Sequence, residues 1–288
     1  MFESPITGKK SAIVNQFLAK DIINGYRTQL GVDVEKFFDG IRIVYLCKCP
    51  DSGLMFFYPR NIVGDGEFYK SLSKFDWYYI ESKWEHQVAY DWITPGSKVL
   101  ELGCGKGYFL KRITQKSCLA VGLEINEQYN ETGDNFKILN QTIEQHSLVK
   151  PEFYDYVCGF QLFEHLPNLK DSIISSLKVL KKHGKIIISV PNQDSFISLD
   201  KFNLLDLPPH HQTRWTPDVF YSFEKIFNLK LIELKFEPLQ NYHKDYFLSL
   251  INQYYNNPFV FEYFKEIVDK YPDKIKGHTM IAIFQKIS

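Results

Sequence analysis

The feature that most constrains this chain is a short apolar run, Val99-Leu100-Glu101-Leu102, that breaks directly into Gly103-Cys104-Gly105-Lys106-Gly107. A helix is expected from Tyr108 on. Glycines at such a turn let the backbone reverse sharply and approach a ligand with no Cβ in the way. The surrounding pattern agrees. From Lys98, short apolar strands alternate with helices: Val99 to Leu102, Leu119 to Glu124, Phe136 to Leu139, Tyr154 to Phe160 and Lys185 to Val190 read as strands. Before the last of these lies a helix with Asn168 as N-cap and Ile173, Ile174, Leu177 and Leu180 on one face. Lys181 and Lys182 sit at its negative end, and Gly184 closes it. Thr216 to Phe227 reads as a further helix, Lys230 to Phe236 as a strand and Met280 to Phe284 as the last strand. The expectation is an α/β fold: a seven-stranded, mostly parallel sheet with helices on both faces.

Outside that alternation the pattern differs. Residues 1–76 read as an irregular N-terminal segment, with apolar stretches Ile41 to Leu46 and Leu54 to Tyr58 broken by Gly and Pro. Trp84, Val88, Ala89, Trp92 and Ile93 fall at helical spacing, and Pro95-Gly96 ends that helix. Residues 77–288 form the main domain. Within it, 238–277 is an insertion dense in aromatics, among them Tyr242, Tyr246, Tyr254 and Phe259, spaced as two helices that would cap a pocket. The 34 basic and 34 acidic residues balance, so no overall field draws the chain to nucleic acid or anionic lipid. No apolar run approaches the roughly 18 residues that span a bilayer. The first residues lack a basic-then-apolar secretory pattern, and the five cysteines are not spaced as a disulfide framework. A cytoplasmic protein without nucleic-acid or membrane partners is expected.

Three ligand classes use a glycine loop of this kind. A P-loop needs Ser or Thr after Gly-Lys, and Gly107 stands there. The dinucleotide fingerprint puts its third glycine five residues after the first, where this chain has Tyr108. Glu101 decides further: a carboxylate would repel a pyrophosphate but suits a ligand carrying an ammonium and a sulfonium.

Glu101 to Gly107 resembles the first motif of class I S-adenosylmethionine-dependent methyltransferases, which have a Rossmann-like fold. In that family the loop passes under the methionine part of the cofactor. Val121-Gly122-Leu123-Glu124-Ile125 is similar to the second element, which implies that Glu124 accepts both ribose hydroxyls. Thr142-Ile143-Glu144 is similar to the adenine-contacting stretch. Phe160-Gln161-Leu162-Phe163-Glu164-His165-Leu166-Pro167 resembles the segment bordering cofactor and substrate. The resemblance implies S-adenosylmethionine as cofactor, with Glu101, Gly103, Cys104, Gly105, Gly107, Glu124, Ile125, Thr142, Ile143, Phe160 and Gln161 around it. It further implies that the region before the first strand folds over the cofactor, so that Tyr79 or Trp84 packs on the sulfonium.

A hydroxyl acceptor needs its proton taken, and His suits that near neutral pH. His165 follows strand four at the sheet edge where ligands bind. His210 and His211 lie in Pro208-Pro209-His210-His211-Gln212-Thr213-Arg214-Trp215, beside Arg214 and Trp215 as acceptor-binding candidates. The expected acceptor is a small molecule or sugar-type hydroxyl; a nitrogen or carbon acceptor, or a non-catalytic cofactor-binding scaffold, are the alternatives. Phe160-Gln161-Leu162 replaces the Asp-Pro-Pro-Tyr signature used on amide and base nitrogens.

At the front, Cys49-Pro50-Asp51-Ser52-Gly53-Leu54 looks like a zinc knuckle with its second Cys replaced, and Ser4-Pro5-Ile6-Thr7-Gly8 like its partner with both replaced. Related methyltransferases carry such a ribbon. A structural zinc wants four protein ligands, so a ribbon fold without metal is expected here, and no metal site elsewhere.

Overall fold

Two sheets organise the chain. The computed structural model describes residues 2–75, 77–78 and 80–287. Residues 2–75 are not irregular. Strand β1 (Ala12–Leu18), helix α1 (Ala19–Gly25), strands β2 (Ile43–Lys48) and β3 (Met55–Tyr58) and helix α2 (Gly66–Leu72) build an antiparallel unit. It has its own core around Ile22, Tyr26, Val44, Phe57 and Phe68. Sequence reading missed it because β1 buries only Phe17 and so shows no alternation.

After it come helix α3 (Trp84–Trp92), strand β4 (Lys98–Leu102), helix α4 (Tyr108–Ile113), strands β5 (Leu119–Leu123) and β6 (Phe136–Leu139), and helix α5 (Ile143–Val149). Then follow β7 (Tyr154–Phe160), α6 (Leu169–Val179), β8 (Leu180–Pro191), β9 (Thr213–Arg214), α7 (Pro217–Phe227) and β10 (Leu229–Pro238). Helices α8 (Lys244–Tyr255) and α9 (Pro258–Lys270) precede β11 (Lys276–Lys286).

The central sheet runs β10-β11-β8-β7-β4-β5-β6, with only β11 antiparallel to its neighbours. Continuous apolar runs suit it because both faces are covered. Leu100, Ile186 and Ile188 pack in one cluster with Ile173 and Phe220, while Val99 and Ile187 pack in the other with Val88 and Phe109. Among the described residues, no helix is long and apolar enough to cross a membrane.

Two local readings are corrected. Helix α6 stops at Val179, so Lys181, Lys182 and Gly184 belong to β8 rather than to a helix end. The loop after β8 is also more ordered than expected: its β9 pairs with β3, at Met55–Arg214 and Phe56–Thr213. The front unit and the main domain therefore share one sheet.

The two expected knuckles pack together. Thr7 Oγ1 lies 3.2 Å from Cys49 Sγ. Burial pushes the Cys49 thiol up, but hydrogen bonds with the Ser4, Ser52 and Thr7 hydroxyls outweigh it and hold the thiol below its ordinary range.

Candidate functional site

One cavity of about 1360 Å³ opens along the C-terminal ends of the parallel strands, where ligands bind in open α/β sheets. That exceeds the space a single drug-sized ligand needs.

At one end β4 delivers Glu101 and then the glycine loop. Gly103 has φ +63°, and a Cβ there would meet Leu162 Cδ1 at 2.8 Å, so a side chain at this position is strained. Glu101 is 4% exposed, and its Oε2 is buried without a hydrogen-bond partner. Burial pushes its carboxyl up to about 8; Lys83 offsets part of this and Glu124 adds to it. Glu124 follows β5. Its Oε2 accepts from the Gly105 N–H (2.9 Å) and its Oε1 from the Asn126 N–H (3.0 Å). Each oxygen keeps acceptor capacity for a ligand hydroxyl.

Cys104, Gly105 and Ile125 also line this end, as do Thr142 and Ile143. Thr142 has a second duty: it caps α5 in a reciprocal pairing with Gln145. Phe160 closes the floor against His86 and Phe109, ring centroids 4.9 Å from each. Gln161 takes φ +50°, and its amide donates to Glu85 Oε1 (3.5 Å) and Thr279 Oγ1 (3.3 Å).

Four of the expected contact residues do not line the cavity. Gly107 does not line the cavity; it has φ +70°, and a Cβ there would strike Ile138. Trp84 packs against the core cluster around Val88 and Phe109 instead of lining the cavity. Trp215 is fully buried between Phe220 and Phe223, its indole N–H donating to Thr213 Oγ1 at 2.8 Å. Arg214 lies over the Phe17 and Phe57 rings and donates to the Asp206 carbonyl, away from the cavity. Trp215 lies beyond β9, bridges Asn192 and joins the core cluster around Phe220. Tyr79 lies outside the described residues.

The other end of the cavity is histidine-rich. His165, His210 and His211 come together, ring centroids 4.4 to 4.7 Å apart. Their Nδ1 atoms are each held. That of His165 donates to the His210 carbonyl (2.8 Å) and that of His210 to the Leu205 carbonyl (2.8 Å). That of His211 faces Asp206 Oδ1 at 3.2 Å. Asp206 is buried, which would raise it, but His211 and Arg214 hold it down at about 2, so it is ionised. Burial keeps His165 neutral, pushed down to about 3, and His210 well below its usual value.

Sequence reading missed Asp206 and Glu164 as site residues. Glu164 is 1% exposed, its Oε2 has no hydrogen-bond partner, and burial pushes it up to about 8. Only its place beside His165 could have signalled it. Of the insertion, Tyr242, His243 and Tyr246 reach the cavity, whereas Tyr254, Tyr255, Phe259 and Tyr263 face solvent.

Residues 76–233 match the family model described as "Methyltransferase domain". The ubiquinone biosynthesis O-methyltransferase of Aliivibrio fischeri is 31% identical over 107 residues, covering 34% of this chain and 46% of that protein. The Vibrio cholerae protein of the same name is 27% identical over a stretch of the same length. The chain thus spans less than half the length of these relatives. A solved S-adenosylmethionine-dependent methyltransferase from Archaeoglobus fulgidus superposes with a TM-score of 0.52 at 20% identity. It covers 77% of this chain and 100% of its own, a likeness of fold.

Proposed function

The chain belongs to the methyltransferase-domain family, and from that premise we propose that it moves a methyl group from S-adenosylmethionine to a hydroxyl oxygen of a small-molecule or sugar-type acceptor. The observation that carries this is the pair of unlike ends in one cavity. One end offers a buried, unpartnered carboxylate over a glycine loop, and the other a set of oriented ring nitrogens.

The fit to the cofactor follows from the donors present. Glu101 Oε2 lacks a partner, as the acceptor of an ammonium would before that group binds. Glu124 takes the ribose hydroxyls, and Gly103 and Gly105 let the backbone come close. Thr142 and Ile143 border the base. When bound, the cofactor supplies a methyl group on a cationic sulfur, and the sulfur keeps the bonding pair when that group leaves. The protein's part is alignment, which supplies several kcal/mol of barrier lowering. His211, fixed by Asp206, orients the acceptor hydroxyl, with His210 and His165 beside it. Tyr242 and Tyr246 of the insertion cap the acceptor side.

At the front, the knuckle pair acts as a ribbon held by hydroxyls around Cys49 in place of metal. Stoichiometric zinc bound through residues 1–60 would refute that part.

Calorimetry with S-adenosylmethionine and S-adenosylhomocysteine tests the donor. A screen for S-adenosylhomocysteine release across hydroxyl, amine and carbon acceptors tests the rest. Turnover with hydroxyl acceptors, lost in His211→Ala with cofactor affinity kept, is expected. Turnover with amines alone would replace the reading, and binding of neither cofactor form would end it.

A further inference from the structure

We propose that His165, His210 and His211 bind one divalent transition-metal ion at the acceptor end of the cavity, with Glu164 beside them but outside the ligand set. The inference deepens the preceding one, resting on it for what the ion does but not for whether it binds.

The geometry is that of prepared ligands. One ligand atom from each ring lies within 4.8 Å of the others, close enough for a single ion to draw them together. A metal-bound histidine usually donates its second ring N–H to a carbonyl or carboxylate, which fixes the tautomer. All three rings do this through Nδ1: to the His210 carbonyl, the Leu205 carbonyl and Asp206. Nε2 is therefore the nitrogen left for a cation in each. On His210 it now accepts from the Tyr78 hydroxyl at 3.2 Å, a contact an ion would displace. Glu164 Oε1 lies 3.7 Å from His165 Nε2, and Glu164 Oε2 has no hydrogen-bond partner despite its burial. Lys83 lines the same cavity and acts against a cation, and Asp206, ionised beside His211, acts for one.

Imidazole donors suit zinc and its neighbours rather than magnesium. Three histidines leave a position open for an exchangeable oxygen. The acceptor hydroxyl would occupy it. The oxygen-to-metal bond weakens O–H, and the proton leaves to solvent through the cavity mouth. The oxygen lone pair then forms the new O–CH₃ bond while the C–S pair stays on sulfur as a neutral thioether.

The test uses metal-stripped full-length protein titrated with Zn(II) and Co(II) alone. One ion per chain is expected, with visible d–d absorption for Co(II). Affinity should fall about tenfold or more in His165→Ala and His211→Ala, and by about 10–100-fold in Asp206→Asn, which removes only the orienting carboxylate. Cys49→Ser should change nothing. His211→Gln replaces the alanine variant if circular dichroism shows that the latter misfolds. Absence of stoichiometric binding overturns the proposal, as does binding that survives the histidine variants. No methyl transfer enters the measurement, so its failure is distinct from failure of the donor reading, which calorimetry decides.

Discussion

Burying a carboxylate without a partner is unfavourable, and Glu101 is so buried. At neutral pH the carboxyl is therefore protonated, since burial holds it near 8. A bound ammonium reverses that balance. Below about pH 8, cofactor binding should release close to one proton, measurable as a buffer-dependent binding enthalpy. Glu101→Gln removes one charge-assisted hydrogen bond, about 1.5–3 kcal/mol, and should weaken binding roughly 10–100-fold. Stability should respond in the opposite sense. A raised folded-state value means that the stability lent by the protonated form is full below about 4.5 and lost as pH rises through about 8. Glu101→Gln should thus lose less of its melting temperature across that window than the parent chain; an identical pH profile would argue against a protonated Glu101. The acid ahead of the glycines was legible in sequence because the motif is contiguous. The histidine cluster was legible only as candidates: His165 and His210 are 45 positions apart, and no spacing rule joins them.

At the scale of elements, the central strands were readable because burial on both faces leaves apolar side chains in unbroken runs, as at 186–188 of β8. The two-residue β9 was not, since its partner β3 lies far away in sequence and two residues carry no period. Trp215, read as an acceptor contact, follows β9, bridges Asn192 and is a core residue. Trp215→Ala should cost about 3–5 kcal/mol of unfolding free energy, as deletion of a buried aromatic does, measured by denaturant titration. S-adenosylmethionine affinity should stay unchanged under native conditions. A small stability loss with a large rise in acceptor KM would restore Trp215 to the acceptor site.

At the scale of the whole molecule, the front unit holds the histidine loop in place. The Tyr26 hydroxyl, at the centre of the front core, donates to the Leu204 carbonyl at 2.9 Å and lies 3.4 Å from that of Leu207. The Gln212 amide donates to the Ile62 carbonyl (2.9 Å), and the Gly64 N–H to that of Pro209 (3.0 Å). These bonds converge on residues 204–212, which carry Asp206, His210 and His211. None reaches the glycine loop. The two ends of the cavity should therefore separate under mutation: Tyr26→Phe leaves ring packing intact but leaves a buried carbonyl with one donor fewer, at about 1 kcal/mol. Turnover should drop several-fold as the histidine loop loosens, with S-adenosylmethionine affinity unchanged by calorimetry. An equal loss of cofactor affinity would mean that the front unit steadies the whole sheet, not the acceptor end alone. Turnover equal to that of the parent chain would mean that the backbone of 204–212 is held well enough by its remaining bonds.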